Sequence, residues 1–186
     1  MKRALLVIDA QNEYFTGKMP VTYPAGSLER ILEVVDAANQ AEIPVILVRH
    51  EVMSKDATVF IKGSYGWEIH QELLKRNYSQ LIDKTLPGSF TGTNLEGYLK
   101  ENGIETIVIC GYMSQMCCDT TARQAFHLGF SVEFLSDATG TLDVANSAGE
   151  IPAERLHKAV LITQAMRFSQ VMSAGDWIRS TSKNNP

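Results

Sequence analysis

Short apolar runs rich in β-branched residues recur along the chain. They are nearly continuous rather than alternating, which is typical of strands that are covered on both faces of a sheet. We therefore predict six strands: ALLVID (4–9), PVILVR (44–49), SQLIDK (79–84), TIVICG (106–111), SVEFLSD (131–137) and the looser RFSQVMS (167–173).

Between these runs, apolar residues return at intervals of three and four positions, which predicts helices. Ser27 is the expected N-cap of the first helix. Gly103 and Gly129 each follow a helical segment, where left-handed C-terminal caps are common. The predicted helical segments are SLERILEVVDAANQAE (27–42), WEIHQELLK (67–75), NLEGYLKENG (94–103), DTTARQAFHLG (119–129) and PAERLHKAVLITQAM (152–166).

Alternating strands and helices predict an α/β fold, a three-layer α/β/α sandwich around a mostly parallel, Rossmann-like sheet of about six strands. The longest irregular segments, 10–26 and 50–66, each follow a strand directly and are expected to form a pocket rim. We predict one domain over residues 1–180 and a polar tail over 181–186.

Composition narrows the function classes. The chain has 186 residues, 45% of them hydrophobic, enough for one core. A net charge of −4 argues against nucleic acid as a partner. The first apolar run ends at Asp9, too early for a signal peptide or a membrane span, so we expect a cytoplasmic protein without a membrane partner. The three cysteines form no CxxC pair and are expected to be free thiols.

Three chemically capable residues lie at predicted strand ends, where parallel sheets bind ligands. Asp9 ends the first strand, Lys84 ends the third, and Cys117 lies in a loop that opens a helix. Taken singly, each has an ordinary interpretation: a turn former, a solvated cation and a small buried hydrophobe. Together they suggest a nucleophile, a base and an electrostatic support, with Cys117 ionised near neutral pH beside Lys84 and a helix N-terminus. Gly111 permits a sharp turn after the fourth strand, and the free N–H groups that follow predict an oxyanion hole.

Three separated motifs resemble, in order and spacing, those of the isochorismatase-like cysteine hydrolases. They are ALLVIDAQNEYF, LIDKTLPGSFTGTNLEGYL and VICGYMSQMCCDTTARQAFHLGFSVEFLSDA, and the resemblance covers roughly residues 4–175. This family includes nicotinamidases, N-carbamoylsarcosine amidohydrolase, ureidoacrylate and biuret hydrolases and streptothricin hydrolase.

The resemblance implies that Asp9, Lys84 and Cys117 form a catalytic triad. It also implies a cis peptide between Tyr112 and Met113, and an oxyanion hole formed by the N–H groups of Met113 and Cys117. Cys118 occupies a position where the family usually carries valine, so a small buried side chain is expected there.

Aromatic residues near these motifs are candidates for substrate binding. Phe15 and Phe90 match positions that line the pocket in relatives, and Trp67 and Tyr112 are further candidates. Plain core packing is the alternative for each aromatic. Arg49, at the end of the second strand, is expected to form a salt bridge rather than to meet a substrate carboxylate.

The sequence departs from the metal-binding pattern of nicotinamidases, which is an Asp-x-His pair and a later His. The position two before His50 is Val48, and His70 is expected on a helix surface. His127 and His157 also fall in helical patterns and are expected to be structural. We therefore predict neither a metal nor a cofactor.

The sequence thus predicts a metal-independent amidohydrolase that acts on a small amide-type substrate and forms a homo-oligomer, a dimer or a tetramer. True isochorismatases generally lack the cysteine, so Cys117 favours carbon–nitrogen chemistry, with isochorismatase or nicotinamidase activity proper as the alternative. A thiol redox or sensor protein using Cys117 and Cys118 is a second alternative, although adjacent cysteines form a strained disulfide. A dinucleotide-binding domain is a third, although no GxGxxG follows the first strand.

Overall fold

The computed structural model describes residues 1–182 and is built around a six-stranded parallel sheet. In chain order the strands are β1 (Arg3–Ile8), β2 (Val45–His50), β3 (Gln80–Lys84), β4 (Thr106–Tyr112), β5 (Ser131–Gly140), β6 (Val144–Asn146), β7 (Gly149–Ile151) and β8 (Gln170–Met172). The sheet order is β3-β2-β1-β4-β5-β8, whereas β6 and β7 form a separate antiparallel hairpin. The predicted α/β sandwich is confirmed.

Helices cover both faces of the sheet. They are α1 (Ser27–Gln40), α2 (Gln71–Leu74), α3 (Leu95–Glu101), α4 (Asp119–His127), α5 (Ala153–Thr163) and α6 (Ala174–Ser182). Wider π-helical turns precede α4 and follow α5, at Ser114–Cys118 and Gln164–Phe168. Short 3₁₀ turns lie at Asn12–Tyr14 and Tyr65–Trp67.

Strand β1 shows why the apolar runs are continuous. Its side chains alternate between two cores: Leu5 and Val7 pack with α1 and α6, and Leu6 and Ile8 pack with α3, α4 and α5. All four are 0% exposed. Because each face of the sheet is covered by helices, positions 4–8 of the strand are all apolar.

Several local predictions are wrong in instructive ways. Gly26 is the N-cap of α1, and Ser27 instead lies buried in the first turn, where its hydroxyl shares a 2.9 Å hydrogen bond with the Tyr112 hydroxyl. Segment 67–75 contains only the single helical turn α2. Gly103 and Gly129 do adopt the predicted left-handed conformation, with φ of 66° and 91°.

The end of the chain differs from the predicted layout by a small amount. Helix α6 runs through Ser182, beyond the expected start of the tail at residue 181. The remaining tail positions, 183–186, lie outside the described residues. Among residues 1–182, no helix combines the length and the apolar character needed to cross a membrane.

Candidate active site

The predicted acid–base pair meets at the carboxyl edge of the sheet. Asp9 directly follows β1 and has a left-handed φ of 50°, and its amide donates to the Val48 carbonyl. Lys84 ends β3, on the far side of β2. The Nζ atom of Lys84 lies 2.8 Å from Oδ2 of Asp9, and the two side chains are 0% and 1% exposed. Strand order therefore produces a buried ion pair between residues 75 positions apart in the chain.

Cys117 joins this pair from the opposite side. It lies in the π-helical turn between β4 and α4, and its Sγ accepts a 3.2 Å hydrogen bond from Nζ of Lys84. The whole residue is 5% exposed. Asp9, Lys84 and Cys117, predicted from three separate motifs, are therefore brought together in one buried cluster.

Electrostatics in the cluster differ from the expectation of an ionised thiol. Burial raises the pKa of the Cys117 thiol, and the charge of Asp9 raises it further, while Lys84 acts in the opposite direction without cancelling them. Burial opposes the charge on Lys84, but Asp9 and Cys117 outweigh it, so the pKa of Lys84 ends above its usual value. The resting site thus holds a lysine ammonium beside a neutral thiol.

The turn that carries Cys117 also presents backbone N–H groups. The peptide between Tyr112 and Met113 is cis, as the resemblance implied. The Met113 carbonyl accepts from the amide of Cys118, five residues on, whereas an α-helix would use the amide of Cys117. Within residues 1–182, the Met113 amide donates to no other backbone or side-chain group. Because the Met113 carbonyl accepts from the amides of Met116 and Cys118, the Cys117 amide does not make the usual α-helical bond to it.

Gly111 allows β4 to approach β1 closely just before this turn. Its φ is 112°, and a Cβ atom there would lie 2.0 Å from the Ile8 carbonyl oxygen. Only glycine fits both the backbone conformation and the space.

The four aromatic candidates have different surroundings. Tyr112 is fully buried, and its hydroxyl shares a hydrogen bond with the Ser27 hydroxyl. Phe90 stacks on Phe130 at a centroid distance of 6.1 Å and packs, partly buried, against the core cluster that includes Cys117.

Phe15 and Trp67 are half-buried beside the two irregular loops. Phe15 packs edge-on against His70 and Tyr112, at 4.7 and 5.6 Å. The Arg49 guanidinium stacks over Trp67, with its Cζ atom 3.5 Å from the ring centroid. Both remain candidates for the pocket rim.

Tyr14, which the sequence reasoning did not single out, packs beside Tyr112. Its ring packs against Phe60 and Tyr112, and the residue is 4% exposed. Burial raises the pKa of the Tyr14 hydroxyl, and Cys117 and Asp9 act in the same direction. The signal was present in the sequence, because Tyr14 lies beside Phe15 in the first motif.

The remaining predicted residues are explained by their neighbours. Arg49 forms the expected salt bridge, with two hydrogen bonds of 2.7 and 3.1 Å to Asp83. His70 caps α2 by accepting from the Glu72 amide and does not lie on a helix surface. His127 is an exposed residue at the end of α4.

His157 is buried and links the π-helical turn Ser114–Cys118 to β5 through two hydrogen bonds. Its Nε2 donates to the Ser136 carbonyl at 2.8 Å, so Nδ1 accepts from the Ser114 hydroxyl at 2.7 Å. Ser114 is the first residue of the π-helical turn. The predicted structural role of His157 thus acts on the segment that carries Cys117.

Two other features limit the chemistry of the site. All three cysteines, Cys110, Cys117 and Cys118, are buried free thiols, which disfavours the redox alternative. In the described part of the chain, no three His, Cys, Asp or Glu side chains are grouped so that they could hold a metal ion.

Comparison with known proteins gives consistent relatives. The family model of the isochorismatase domain matches residues 3–174. The chain is 35% identical to the isochorismatase family protein YddQ of Bacillus subtilis, over 87% of this chain and 90% of that protein. It is 30% identical to nicotinamidase 3 of Arabidopsis thaliana, over 95% of this chain and 87% of the relative. The crystal structure of a putative isochorismatase from Burkholderia xenovorans superposes with a TM-score of 0.94 at 40% identity, covering 99% of this chain and 89% of that one.

Proposed function

This chain belongs to the isochorismatase family of hydrolases, and from that premise we propose that it hydrolyses a carbon–nitrogen bond of a small amide-type molecule through a cysteine thioester. One observation carries the proposal: the Lys84 ammonium lies 2.8 Å from the Asp9 carboxylate and 3.2 Å from the Cys117 sulfur in a buried cluster. A nucleophile, a base and a fixed positive charge are what covalent hydrolysis requires.

The neutral thiol assigns the first proton transfer to Asp9. As the thiol attacks the amide carbonyl, its proton passes to the Asp9 carboxylate, and the Lys84 ammonium stabilises the thiolate that forms. The carbonyl oxygen gains the negative charge, and the amides of Met113 and Cys117 are its proposed donors.

Collapse of this intermediate breaks the carbon–nitrogen bond. Asp9 returns its proton to the leaving nitrogen, so ammonia or an amine departs and Cys117 holds the acyl group as a thioester. Water then gives a proton to Asp9 and attacks the thioester. As the carbon–sulfur bond breaks, Asp9 passes that proton to sulfur, which releases a carboxylic or carbamic acid and regenerates the thiol. Lys84 stays charged throughout and holds the two reacting groups in place.

We propose that this chemistry needs no metal. Val48 occupies the position of the carboxylate in the Asp-x-His pair, and β2 buries its side chain completely. A site without that hard oxygen ligand lacks the usual metal set of nicotinamidases. The similarity to nicotinamidase 3 nevertheless makes nicotinamide a sensible first substrate to test.

The test is ammonia release from a panel of small amides: nicotinamide, N-carbamoyl amino acids, biuret, ureidoacrylate and streptothricin. The wild type is expected to turn over at least one, and Cys117→Ala none. Cys118→Ala is the matched control, because that thiol is fully buried and is expected only to pack. Turnover by Cys117→Ala, or loss of turnover in Cys118→Ala with the fold intact, would contradict the thioester scheme.

A further inference from the structure

Among residues 1–182, three acceptor atoms lie beside the Lys84 ammonium. An ammonium carries three N–H groups. Three acceptors surround Nζ: Oδ2 of Asp9 at 2.8 Å, Sγ of Cys117 at 3.2 Å and Nδ1 of His50 at 3.4 Å. The Lys84 side chain is 0% exposed, so bulk water does not supply a replacement partner. The third acceptor therefore comes from His50.

We propose that His50 is a positioning residue of this site, which accepts the third N–H of Lys84 and thereby keeps the ammonium aimed at Asp9 and Cys117. The inference rests on the proposed function in one respect, namely that Lys84 and Cys117 take part in the reaction. It goes beyond the triad because it gives a defined role to a histidine that has no metal-ligand partner at Val48.

The contact fixes the proton position on the imidazole. Lys84 has no acceptor atom, so Nδ1 of His50 must be unprotonated and the proton of the neutral ring lies on Nε2. Burial and the charge of Lys84 lower the pKa of His50, and the opposing charges of Asp9 and Glu51 do not reverse this. The neutral ring is thus the form that this environment favours.

The fold holds His50 by its backbone as well as by its ring. The Gln11 side chain donates to the His50 carbonyl at 2.9 Å and accepts from the His50 amide at 2.8 Å. Gln11 is 0% exposed and lies two residues after Asp9, so it ties the end of β2 to the end of β1. The Phe60 ring packs edge-on against the imidazole, with the two ring centroids 5.7 Å apart. A substitution at position 50 therefore leaves the backbone clamp in place.

Two substitutions separate the acceptor from the space that the ring fills. His50→Asn keeps an acceptor near the position of Nδ1, and His50→Leu has almost the same volume without one. In the leucine variant the third N–H of a buried ammonium has no partner, which favours the neutral amine. A neutral amine no longer stabilises the Cys117 thiolate.

The measurement is the second-order rate of alkylation by iodoacetamide at pH 7.5, with the labelled peptide identified by mass spectrometry. This readout needs no substrate, and Cys110 and Cys118 are both 0% exposed, so label is expected on Cys117. We expect His50→Asn to react at least ten-fold faster than His50→Leu, with both variants folded at the assay temperature. His127→Leu, an exposed histidine on α4, is the control and is expected to match the wild type.

Equal alkylation rates in the asparagine and leucine variants would overturn the proposal. So would a slower rate in the asparagine variant. In ammonia release, the leucine variant is expected to lose kcat with little change in KM, and asparagine to restore most of it. Alkylation is independent of turnover, so the two proposals fail in different experiments. Failure of the amidase scheme appears as ammonia release by Cys117→Ala. Failure of the His50 role appears as equal alkylation rates in His50→Asn and His50→Leu.

Discussion

At the scale of single residues, burial determines how the reaction begins. The sequence suggested a thiolate, because a helix start and a lysine both favour one. In the folded protein the thiol is buried and faces the Asp9 carboxylate as well as Lys84, and the combined effect keeps the proton on sulfur. The Asp9 carboxylate, paired with Lys84, is therefore a base held beside a neutral nucleophile.

The raised pKa of Cys117 predicts how alkylation depends on pH. Only the thiolate reacts, so the rate is expected to rise about ten-fold per pH unit from pH 6 to pH 8.5 without levelling off. A stopped assay with iodoacetamide over this range measures it, with Cys117→Ala giving the background. A plateau below pH 7 would mean that the thiol is ionised at rest, as the sequence alone suggested.

Asp9→Asn removes the base and leaves the Lys84 charge buried without its partner. We expect kcat to fall by about 10²–10⁴, and the free energy of unfolding by about 3–5 kcal/mol. Ammonia release and urea denaturation measure the two effects. Asp83→Asn is the matched control, because its ion pair with Arg49 leaves the aspartate side chain 43% exposed, and such pairs contribute about 0–1 kcal/mol. Equal losses in both variants would argue against a special role for the buried pair.

At the scale of elements, the segment from β4 through the π-helical turn to α4 builds the site. Gly111 allows β4 to approach β1 closely. In the turn, the Met113 carbonyl accepts from the Cys118 amide, one residue later than in an α-helix, and α4 follows directly after Cys118. His157 holds the first residue of this turn, Ser114, from α5 and is itself fixed by the Ser136 carbonyl of β5. The geometry of the proposed site therefore depends on α5 and β5 as well as on the segment that carries Cys117.

Gly111→Ala tests the close approach of β4 to β1. The new Cβ would lie 2.0 Å from backbone oxygen, and the φ of 112° is unfavourable for alanine. We expect the variant to lose several kcal/mol of stability, more than about 3 kcal/mol, or to fail to fold. Gly97→Ala is the control, because a Cβ in that position of α3 meets nothing within 4 Å and helix propensity favours alanine by up to about 1 kcal/mol. A Gly111→Ala protein as stable as the wild type would show that the two strands can separate at no cost.

His157 predicts a loss of stability in acid. Burial lowers its pKa in the folded protein, with the Ser136 carbonyl opposing this shift, so the unfolded chain binds the proton more readily. The free energy of unfolding is therefore full above the unfolded value of about 6.5 and falls as the pH drops below it. His157→Gln removes this titration, and its unfolding free energy, measured in urea at pH 7 and pH 5, should change less than that of the wild type. His50 and His70 also have lowered pKa values, so the unfolding free energy of His157→Gln is still expected to fall somewhat in acid. If the unfolding free energy of the variant fell from pH 7 to pH 5 by as much as that of the wild type, the role given to His157 would be contradicted.

At the scale of the whole molecule, the sequence predicts most of the architecture and the residues that meet in the buried cluster. Apolar strands ended by Asp9 and Lys84 are visible because a polar residue interrupts a continuous run, and a parallel sheet places such ends together. The β6–β7 hairpin was missed because its strands, with three residues each, are short and largely exposed and carry no apolar pattern.

The roles of aromatic residues were harder to predict for a physical reason. Core and pocket aromatics have the same composition signal, and only the folded structure shows their partners, such as the hydrogen bond between the Tyr112 and Ser27 hydroxyls. The pKa of Cys117 likewise depends on burial, which no local pattern reports. The predicted dimer or tetramer stays a prediction.

The central claim, that Cys117 carries the acyl group, is tested most directly by trapping that intermediate. An amide that the wild type hydrolyses is mixed with enzyme, quenched in acid within milliseconds to seconds, and the digest is examined by mass spectrometry. The account predicts the acyl mass on the peptide that contains Cys117, absent in Cys117→Ala and present in Cys118→Ala. Turnover with the acyl group on Cys118, or with no adduct at any quench time together with full activity in Cys117→Ala, would contradict it.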